Sequence, residues 1–366
     1  MNIMIVKPIM IITCFMVTII ILIMGGASNC PDYMNYESMY YNAVNFSWQY
    51  FWDPSVAYSM GYCRDFGYSI TNYIGNELGL TYQDYKFVSS LIFLMTLFIY
   101  TWRIIKNKLI IFLCLYIVYP YLMDVIQVRN FMFVVFLFMG IYYLTYAKKN
   151  RRLKFIALMM IAATFHTIAL LYLPFVFFEN CIKKWTRFIL YILILIGLLM
   201  PFYADWIKTN WMFAWMLLSG TDTSLAHYAQ YVMNTNDGLA YLARYFLLLF
   251  IVMFLSHIKD VMKNADSYLG RYTKNIYWLS MYCLIFLPLF PMFGDLGARL
   301  LRNLLYFVIV GSVIGCSFEE NRINRIVVAL TAILIISTVG WLELYNEYLR
   351  DNVQVILSNN VLYTLF

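Results

Sequence analysis

The sequence predicts an all-α, polytopic integral membrane protein with roughly 10–11 transmembrane passes, among them a short helical hairpin near residues 153–178. Of its 366 residues, 63% are hydrophobic and only 12% are charged, whereas soluble domains contain about 25% charged residues. Apolar runs of about 20 residues, long enough for a helix to cross a bilayer, recur along the chain. The basic residues cluster between these runs, which is typical of membrane proteins with positively charged cytoplasmic loops.

Nine apolar runs predict separate membrane spans. The first follows Lys7 and is interpreted as a membrane anchor rather than a signal peptide, because it is long, little charge precedes it and no A-x-A cleavage site follows. The nine runs cover residues 8–24, 87–102, 109–122, 125–146, 188–203, 239–257, 275–293, 298–317 and 325–342.

The hairpin is predicted from the charges at both ends of residues 153–178. The basic cluster KKNRRLK (148–154) precedes this apolar segment and KKWTR (183–187) follows it. A single span would place one cluster on the outer side, whereas two short helices place both clusters on the cytoplasmic side. The apex then falls near residues 164–167, around His166, and Pro174 bends or shortens the second arm.

The distribution of charge orients the chain. A cytoplasmic N-terminus, with the hairpin counted as two passes, puts most of the 26 Lys and Arg residues on the cytoplasmic side. The net charge of +7 is therefore a consequence of membrane topology and does not indicate nucleic-acid binding. In this orientation Arg129, Arg299 and Arg302 lie at or near the outer face.

No repeat, low-complexity tract or linker divides the chain, so residues 1–366 are expected to form a single integral membrane domain. Two long segments without a span, 25–86 and 204–238, are expected to be outer loops. The second contains WMFAWMLLSG, which is too short to span and is interpreted as an interfacial or re-entrant helix. Cys30 and Cys63 share the first loop, where a disulfide and two free thiols are both open interpretations.

Arg129, Arg299 and Arg302 lie in or against apolar stretches, where a fixed positive charge costs about 2.5–3.5 kcal/mol at a helix centre. Simple explanations are open for each: Arg129 can extend to the membrane surface, and one of the later two can pair with Asp295. The alternative is that guanidinium groups from two spans bind one phosphate or pyrophosphate at the outer face, because arginine forms bidentate, charge-assisted hydrogen bonds.

His166 lies at the expected apex of the hairpin, in TFHTIALL. It is either a structural residue that hydrogen-bonds to a neighbouring threonine, or a general base that takes a proton from a hydroxyl group. The second interpretation rests on the unperturbed histidine pKa near 6.5, which allows proton exchange at neutral pH.

Further polar residues are secondary candidates. Arg64 and Asp65 lie in the first outer loop, where Asp65 is either a solvated side chain or a second candidate base. Asp124 is expected to be a hydrogen-bond partner of Arg129 or Gln127 at the outer end of its span.

No metal or cofactor site is predicted. The three histidines lack the spacing of zinc ligands. P-loop, GxGxxG, GxSxG and HExxH motifs are absent from the sequence, so nucleotide-driven transport is not supported within this chain.

Five segments, in order along nearly the whole chain, resemble the landmarks of the EpsG-like family of polysaccharide polymerases, which are related in role to the Wzy O-antigen polymerases. The second resembles the family's E-P-G-Y/F segment, the third its "iRq" helix start, the fourth its F-H-x-(S/T)-A-L hairpin and the fifth its late arginine helix. The segments are DYMNYESMYYN (32–42), RDFGYSITNYIGNELGLTYQDY (64–85), QVRNFMFVV (127–135), TFHTIALLYLP (164–174) and GARLLRNLLYF (297–307).

This resemblance implies a metal-independent glycosyltransferase of the bacterial cytoplasmic membrane. Such an enzyme transfers a growing glycan from undecaprenyl pyrophosphate onto a second lipid-linked repeat unit at the outer face. In that chemistry Arg129, Arg299 and Arg302 would bind the pyrophosphate, and His166 or Asp65 would be the base. A flippase and a chain-length regulator are possible partner proteins.

The sequence departs from the family pattern at two positions. Asp65-Phe66 replaces the family's Glu-Pro, and Asn130 replaces the glutamine that usually follows the first arginine. Two alternative functions are a lipid-linked oligosaccharide flippase or exporter, and an O-antigen ligase or acyltransferase. A flippase would need charges along a path across the bilayer and internal repeat symmetry, and the sequence shows neither.

Overall fold

The computed structural model describes most of the chain as helix. The described residues are 8–28, 32–45, 65–177, 188–199, 202–203, 206, 210, 238–263, 268–289, 294–344, 354–356 and 358–360. For 45, 238–241, 287–289, 294–296 and 344 only the helical backbone is described. Within these ranges the regular elements are helices, apart from one isolated β-bridge between Ala27 and Asn360. The predicted all-α class is confirmed.

The chain forms two compact units, and each is described by itself. The first contains residues 1–176 and 343–366, and the second contains residues 177–342. The prediction of one integral domain stays a prediction. The helices of the first unit are α1 Pro8–Gly26, α2 Tyr33–Asn42, α3 Phe66–Glu77, α4 Tyr82–Ile105, α5 Leu109–Val118, α6 Pro120–Ile126, α7 Val128–Tyr146 and α8 Arg151–Phe165.

Six helical segments in the described residues are long and apolar enough to cross a membrane, which confirms a multi-pass membrane protein. Two shorter apolar helices, Thr167–Phe177 and Phe188–Leu199, accompany them. The exact pass count and the cytoplasmic N-terminus stay predictions. The six segments are Pro8–Gly26, Tyr82–Val118, Val128–Tyr146, Leu242–Val261, Gly297–Phe318 and Arg322–Glu343.

The C-terminal end of α1 is held by side chains from other elements. The last carbonyls of a helix have no partner within it, and here the Gly25 carbonyl accepts a hydrogen bond from the side-chain amide of Gln83. Tyr121 donates to the Ile20 carbonyl (2.9 Å) and Asn360 donates to the Ile23 carbonyl (2.9 Å). The fully buried Lys86 donates from Nζ to the carbonyl of Ala27 at 2.6 Å, just beyond the helix end. The Lys86 bond ties the end of α1 to α4, and the Tyr121 bond ties it to α6.

Helix α4 begins at Tyr82, five residues before the predicted span. Thr81 and Asp84 form a capping box: the Asp84 N–H donates to Thr81 Oγ1 (3.2 Å) and the Thr81 N–H donates to Asp84 Oδ2 (3.2 Å). This reciprocal pair satisfies two N–H groups at the helix start. The helix therefore extends from the apolar span into a tyrosine-rich segment.

The predicted spans 109–122 and 125–146 are divided differently in the structure. Helix α5 ends at Val118, and α6 begins at Pro120. The intervening Tyr119 has φ −149° and ψ −52°, outside the helical region. Proline disfavours helical backbone in the residue before it, which explains a break at this position.

The predicted hairpin is present. Helix α8 ends at Phe165, His166 is extended (φ −155°, ψ 119°), and a 3-10 helix follows over Thr167–Tyr172. The rings of Phe155 and Phe175, near the two open ends, have centroids 5.9 Å apart. The chain therefore reverses at the predicted apex, with His166 at the turn.

The segment 25–86, predicted as an outer loop, is largely helical where it is described, and its position outside the membrane stays a prediction. It contains α2, α3 and the start of α4, and α2 packs against α3. Tyr33, Tyr36, Tyr40 and Tyr68 are all buried. The polar, tyrosine-rich composition of this segment did not indicate that α2 and α3 form a pair of amphipathic helices.

The second unit contains three helices that pack on one another, α10, α11 and α12. Its long central helix α12 is almost completely buried. The predicted outer loop 204–238, including WMFAWMLLSG, lies almost entirely outside the described residues. The helices of this unit are α9 Phe188–Leu199, α10 Gly238–Val261, α11 Tyr268–Cys283, α12 Gly294–Phe318 and most of α13 Arg322–Leu344.

Candidate functional site

An ion pair joins the starts of two helices in the first unit. Arg129 Nη1 lies 2.6 Å from Asp65 Oδ2. Asp65 is the residue immediately before α3, and Arg129 is in the first turn of α7. A cation at a helix N-terminus is electrostatically unfavourable, so the carboxylate compensates a charge that α7 itself does not stabilise.

The Asp65 carboxylate contacts Arg129 instead of its own helix. An aspartate before a helix usually accepts a hydrogen bond from an N–H of the first turn, which contributes about 1 kcal/mol. Asp65 has no such side-chain bond. The start of α3 is therefore less stable than it would be with a side-chain cap, because the carboxylate holds the Arg129 guanidinium instead. The Asp65 side chain is 6% exposed, whereas that of Arg129 remains 24% exposed.

Two buried tyrosines complete the surroundings of Arg129. Its Cζ atom lies 5.5 Å from the ring centroid of Tyr36 and 5.9 Å from that of Tyr68. Both distances fall within the range of cation–π contacts. The two rings are in edge contact at 5.8 Å. Helices α2, α3 and α7 thus hold one partly exposed guanidinium in a fixed position.

His166 presents a defined tautomer. Its Nδ1 accepts a hydrogen bond from the Ile168 N–H at 3.3 Å. In the neutral ring the proton is therefore on Nε2, which acts as a donor. The ring lies near Phe133 of α7, with centroids 6.4 Å apart. Helix α7 thus carries Arg129 and, through Phe133, also lies beside His166.

Gly67 brings α3 and the hairpin into direct contact. A Cβ atom built on Gly67 would overlap Thr164 Oγ1 and lie 2.8 Å from Thr164 Cβ. Only glycine allows this approach. Because Gly67 is two residues after Asp65 and Thr164 is two residues before His166, the contact places the ion pair and the histidine in one region.

Two polar side chains on α3 are buried without hydrogen-bond partners among the described residues. They are the phenol oxygen of Tyr68 and both amide atoms of Asn72, four residues further on. Side chains four apart share one helix face. Each unpaired buried group costs about 1–3 kcal/mol, and such groups are typical of functional sites.

Burial raises the pKa of the Tyr68 phenol well above its usual range, and the neighbouring Tyr82, Tyr85 and Tyr36 raise it further. Arg129 opposes these effects. Tyr68 is therefore a neutral hydrogen-bond donor at physiological pH and is unsuited to act as a base.

A family model for the EpsG family matches residues 10–355. The chain belongs to the EpsG family. Comparisons with curated proteins and with solved structures found no match. Membership of the EpsG family suggests a glycosyltransferase-like polysaccharide polymerase in exopolysaccharide biosynthesis, and it implies lipid-linked saccharide substrates. The suspected resemblance is confirmed.

Three of the landmarks quoted for the EpsG family meet in the first unit. Asp65 and Gly67 come from the segment that resembles E-P-G, Arg129 from the "iRq" helix start, and His166 from the hairpin. Separate stretches of sequence therefore converge on one region. Their catalytic and binding roles stay predictions.

The secondary candidates are placed as follows. The buried Asp124 accepts a hydrogen bond from Tyr116 at 2.5 Å, a partner that sequence analysis did not name. Gln127 forms the junction between α6 and α7, and its carbonyl accepts from the Phe131 N–H at 3.0 Å. Arg64 and the Asp295 side chain lie outside the described residues, as do Cys30 and Cys63.

The second unit holds its own arginine pair on α12. Arg302 is buried, with 3% of its surface exposed, and Arg299 is half-buried. The adjacent Asn303 is also buried. Among the described residues no three His, Cys, Asp or Glu side chains form a group that could hold a metal ion. Metal-independent chemistry stays a prediction for this member of the EpsG family.

Sequence analysis missed Tyr36, Tyr68, Asn72 and Thr164 as parts of the site. All four have residue types common in outer loops and helix ends, so their individual identities gave no signal. Gly67 was within a quoted motif, but its role appears only through its contact with Thr164. The order of the motifs along the chain was the signal that could have located the site.

Proposed function

We propose that this protein polymerises oligosaccharide repeat units linked to undecaprenyl pyrophosphate, by glycosyl transfer at the outer face of the bacterial cytoplasmic membrane. The observation that carries the proposal is the Asp65–Arg129 pair, which holds a partly exposed guanidinium beside two tyrosine rings. A guanidinium has five N–H donors in a planar fork, which suits bidentate hydrogen bonds to pyrophosphate oxygens.

The reaction needs an attacking hydroxyl group, a group that stabilises the leaving pyrophosphate, and a base. A hydroxyl oxygen of the acceptor sugar attacks the anomeric carbon of the donor glycan, and the bond from that carbon to the pyrophosphate oxygen breaks. The lipid pyrophosphate leaves with the electron pair, and Arg129 stabilises its growing negative charge. The hydroxyl proton passes to a base of the protein.

We assign the base role to Asp65 and a donor role to His166, which reverses their order in the sequence analysis. The reason is the hydrogen bond from the Ile168 N–H to Nδ1, which leaves the proton of the neutral ring on Nε2. A protonated Nε2 suits donation to a pyrophosphate oxygen rather than acceptance of a proton. A carboxylate carries only acceptors, so the Asp65 side chain, which already contacts Arg129, has the chemistry of a base.

Within the second unit, Arg299 and Arg302 are themselves proposed as ligands for phosphate oxygens. Their helix is buried along most of its length, so a charge there is costly unless it is compensated. A flippase that delivers lipid-linked units and a chain-length regulator are the proposed partner proteins.

The function is tested with a strain lacking this gene and complemented by variants. Arg129→Ala, Arg299→Ala and His166→Ala should each shift the lipid-linked glycans from long polymer to single repeat units at unchanged protein level. Asp260→Asn is the matched control, since it alters a carboxylate that is 62% exposed and lies 3.4 Å from Lys259. Normal chain length in all three variants would contradict the site.

A further inference from the structure

An apolar groove lies between α3 and α4 in the first unit. Its volume is about 270 Å³, which is far more than a single water molecule requires. Residues from α3 and α4 form most of its walls, and one residue comes from α7. Six of the lining residues are Thr71, Ile74, Val88, Ser89, Ile92 and Met132.

The polar atoms in the groove walls are already engaged within the protein. Thr71 Oγ1 lies 2.9 Å from the Tyr68 carbonyl and 2.8 Å from the Tyr85 hydroxyl, in hydrogen bonds with both. Ser89 Oγ donates to the Lys86 carbonyl at 3.0 Å. The groove therefore offers a ligand hydrocarbon contacts rather than hydrogen bonds.

The groove opens beside exposed apolar residues of a helix that can cross a membrane. Val88 is 42% exposed and Ile92 is 57% exposed. Both lie in the segment Tyr82–Val118, which is long and apolar enough to cross a membrane. Ile74, on the opposite wall, is 49% exposed. A chain in the bilayer can thus enter from the side.

The groove and the arginine site share helices α3 and α7. Met132 follows Arg129 by three residues on α7, an axial distance of about 4.5 Å. The ring of Phe93, another lining residue, lies 5.9 Å from that of Phe165, which immediately precedes His166. An anionic group at Arg129 and a hydrocarbon chain in the groove would therefore be continuous.

We propose that this groove binds the polyprenyl chain of the lipid-linked substrate, through the isoprene units nearest the pyrophosphate. The identity of the lipid rests on the proposed function. The groove explains why a cationic site lies beside an apolar channel open to the membrane: the ligand has an anionic head and a hydrocarbon tail. The remaining isoprene units would extend into the bilayer.

The test uses the full-length protein in nanodiscs of phosphatidylethanolamine and phosphatidylglycerol. The probe is a polyprenyl pyrophosphate with a diazirine on its second isoprene unit, and peptide mapping locates the photo-crosslink. Ile92→Trp and Val88→Trp fill the groove. Leu91→Trp is the matched control, because Leu91 is exposed on the same helix but does not line the groove. Thermal unfolding of all three checks that they fold.

The wild type should be labelled on peptides of α3 and α4. Both groove variants should lose most of that labelling, at least about tenfold, and should raise KM for the lipid-linked unit, while Leu91→Trp retains wild-type values. Equal labelling in Ile92→Trp and wild type would overturn the proposal. Labelling that excess unlabelled polyprenyl pyrophosphate does not displace would also overturn it.

The same preparations separate this proposal from the proposed function. Groove labelling in a wild-type protein that forms no polymer from lipid-linked units would support the groove and refute the polymerase. Polymer formation unaffected by Ile92→Trp would support the polymerase and refute the groove.

Discussion

Asp65 Oδ2 and Arg129 Nη1 are 2.6 Å apart, and this contact ties the start of α3 to the start of α7. Neither helix benefits locally: α3 lacks a side-chain cap, and α7 carries a positive charge in its first turn. An arrangement that weakens both helix ends is consistent with a functional role for the pair.

Replacing one member of this pair should destabilise the protein more than replacing both. Asp65→Ala leaves the guanidinium without its carboxylate, and the loss of a hydrogen bond to a charged group costs about 1.5–3 kcal/mol. Asp65→Ala combined with Arg129→Met removes both charges and should recover part of that stability. Thermal unfolding in detergent measures this. Both variants should be inactive, so the double substitution should restore part of the stability without restoring activity.

Gly67→Ala should impair activity and stability, because its Cβ would overlap Thr164 Oγ1. Combining it with Thr164→Gly removes both Oγ1 and Cβ of the facing residue, so partial rescue is expected. Gly79→Asn is a suitable control, since Gly79 has φ +70°, a conformation that asparagine tolerates, and a Cβ there meets nothing within 4 Å. Polymer length and unfolding temperature are the two readouts. An unaffected Gly67→Ala protein would show that the close contact is unimportant.

Asn72→Leu should stabilise the protein while lowering its activity. Its buried amide has no partner among the described residues, so an apolar side chain of similar size removes a cost of about 1–3 kcal/mol. Asn76, one turn further along α3, is the matched control. Its amide donates to the carbonyls of Tyr40 (2.6 Å) and Asn72 (3.0 Å), so Asn76→Leu should destabilise. Equal destabilisation by both substitutions would show that the buried Asn72 amide does not indicate a functional role.

Stability should fall at alkaline pH partly through Tyr40. Burial raises the pKa of its phenol from 10.0 to about 12. A group whose pKa is higher in the folded state stabilises the protein fully below the unfolded value. Its contribution is therefore present below pH 10 and is lost as pH rises from 10 to about 12.

Tyr40→Phe tests this dependence. It removes the hydrogen bond from the phenol to the Leu80 carbonyl (2.8 Å), which costs about 1 kcal/mol at neutral pH. The loss of stability between pH 10 and 12 should then be shallower than in the wild type. Unfolding midpoints in urea, measured across this pH range, provide the comparison. Parallel curves for both proteins would contradict the assignment to Tyr40.

The roles of His166 and Asp65 can be separated by conservative substitutions. His166→Gln retains an N–H donor at this position. Asp65→Asn replaces a carboxylate, which can accept a proton, with an amide, which cannot. If Asp65 is the base, Asp65→Asn should lower the turnover rate by about 100-fold or more, the range of general-base contributions. His166→Gln should lose less. The opposite ranking would restore His166 as the base.

Apolar runs predicted much of the fold because hydrocarbon length is a strict constraint. The first predicted span, 8–24, corresponds to α1 Pro8–Gly26 with only two residues of difference. The reversal at His166 was also predictable, because the charge clusters on both sides required it. Where a local rule competed, the boundary moved: the Thr81–Asp84 capping box began α4 early, and Pro120 divided a predicted span.

The site was predictable only in part. Arg129, Asp65 and His166 stand out because charges and a histidine are unusual beside apolar runs. Their arrangement was not predictable, because Asp65 was placed in a solvated loop and Asp124 seemed the closer partner for Arg129 in sequence. The burial of Tyr68 and Asn72 depends on α2 packing against α3, a tertiary contact that neither segment reveals alone.

The central claim is that Arg129, oriented by Asp65, binds the pyrophosphate of the substrate. The most direct test is polymer formation by purified wild-type and Arg129→Lys proteins from an undecaprenyl pyrophosphate-linked repeat unit. Lysine retains the charge but lacks the planar donor fork. We expect a polymer ladder from the wild type and mainly unpolymerised units from Arg129→Lys, with matched unfolding temperatures. A ladder of the same lengths and yield from Arg129→Lys would contradict the account.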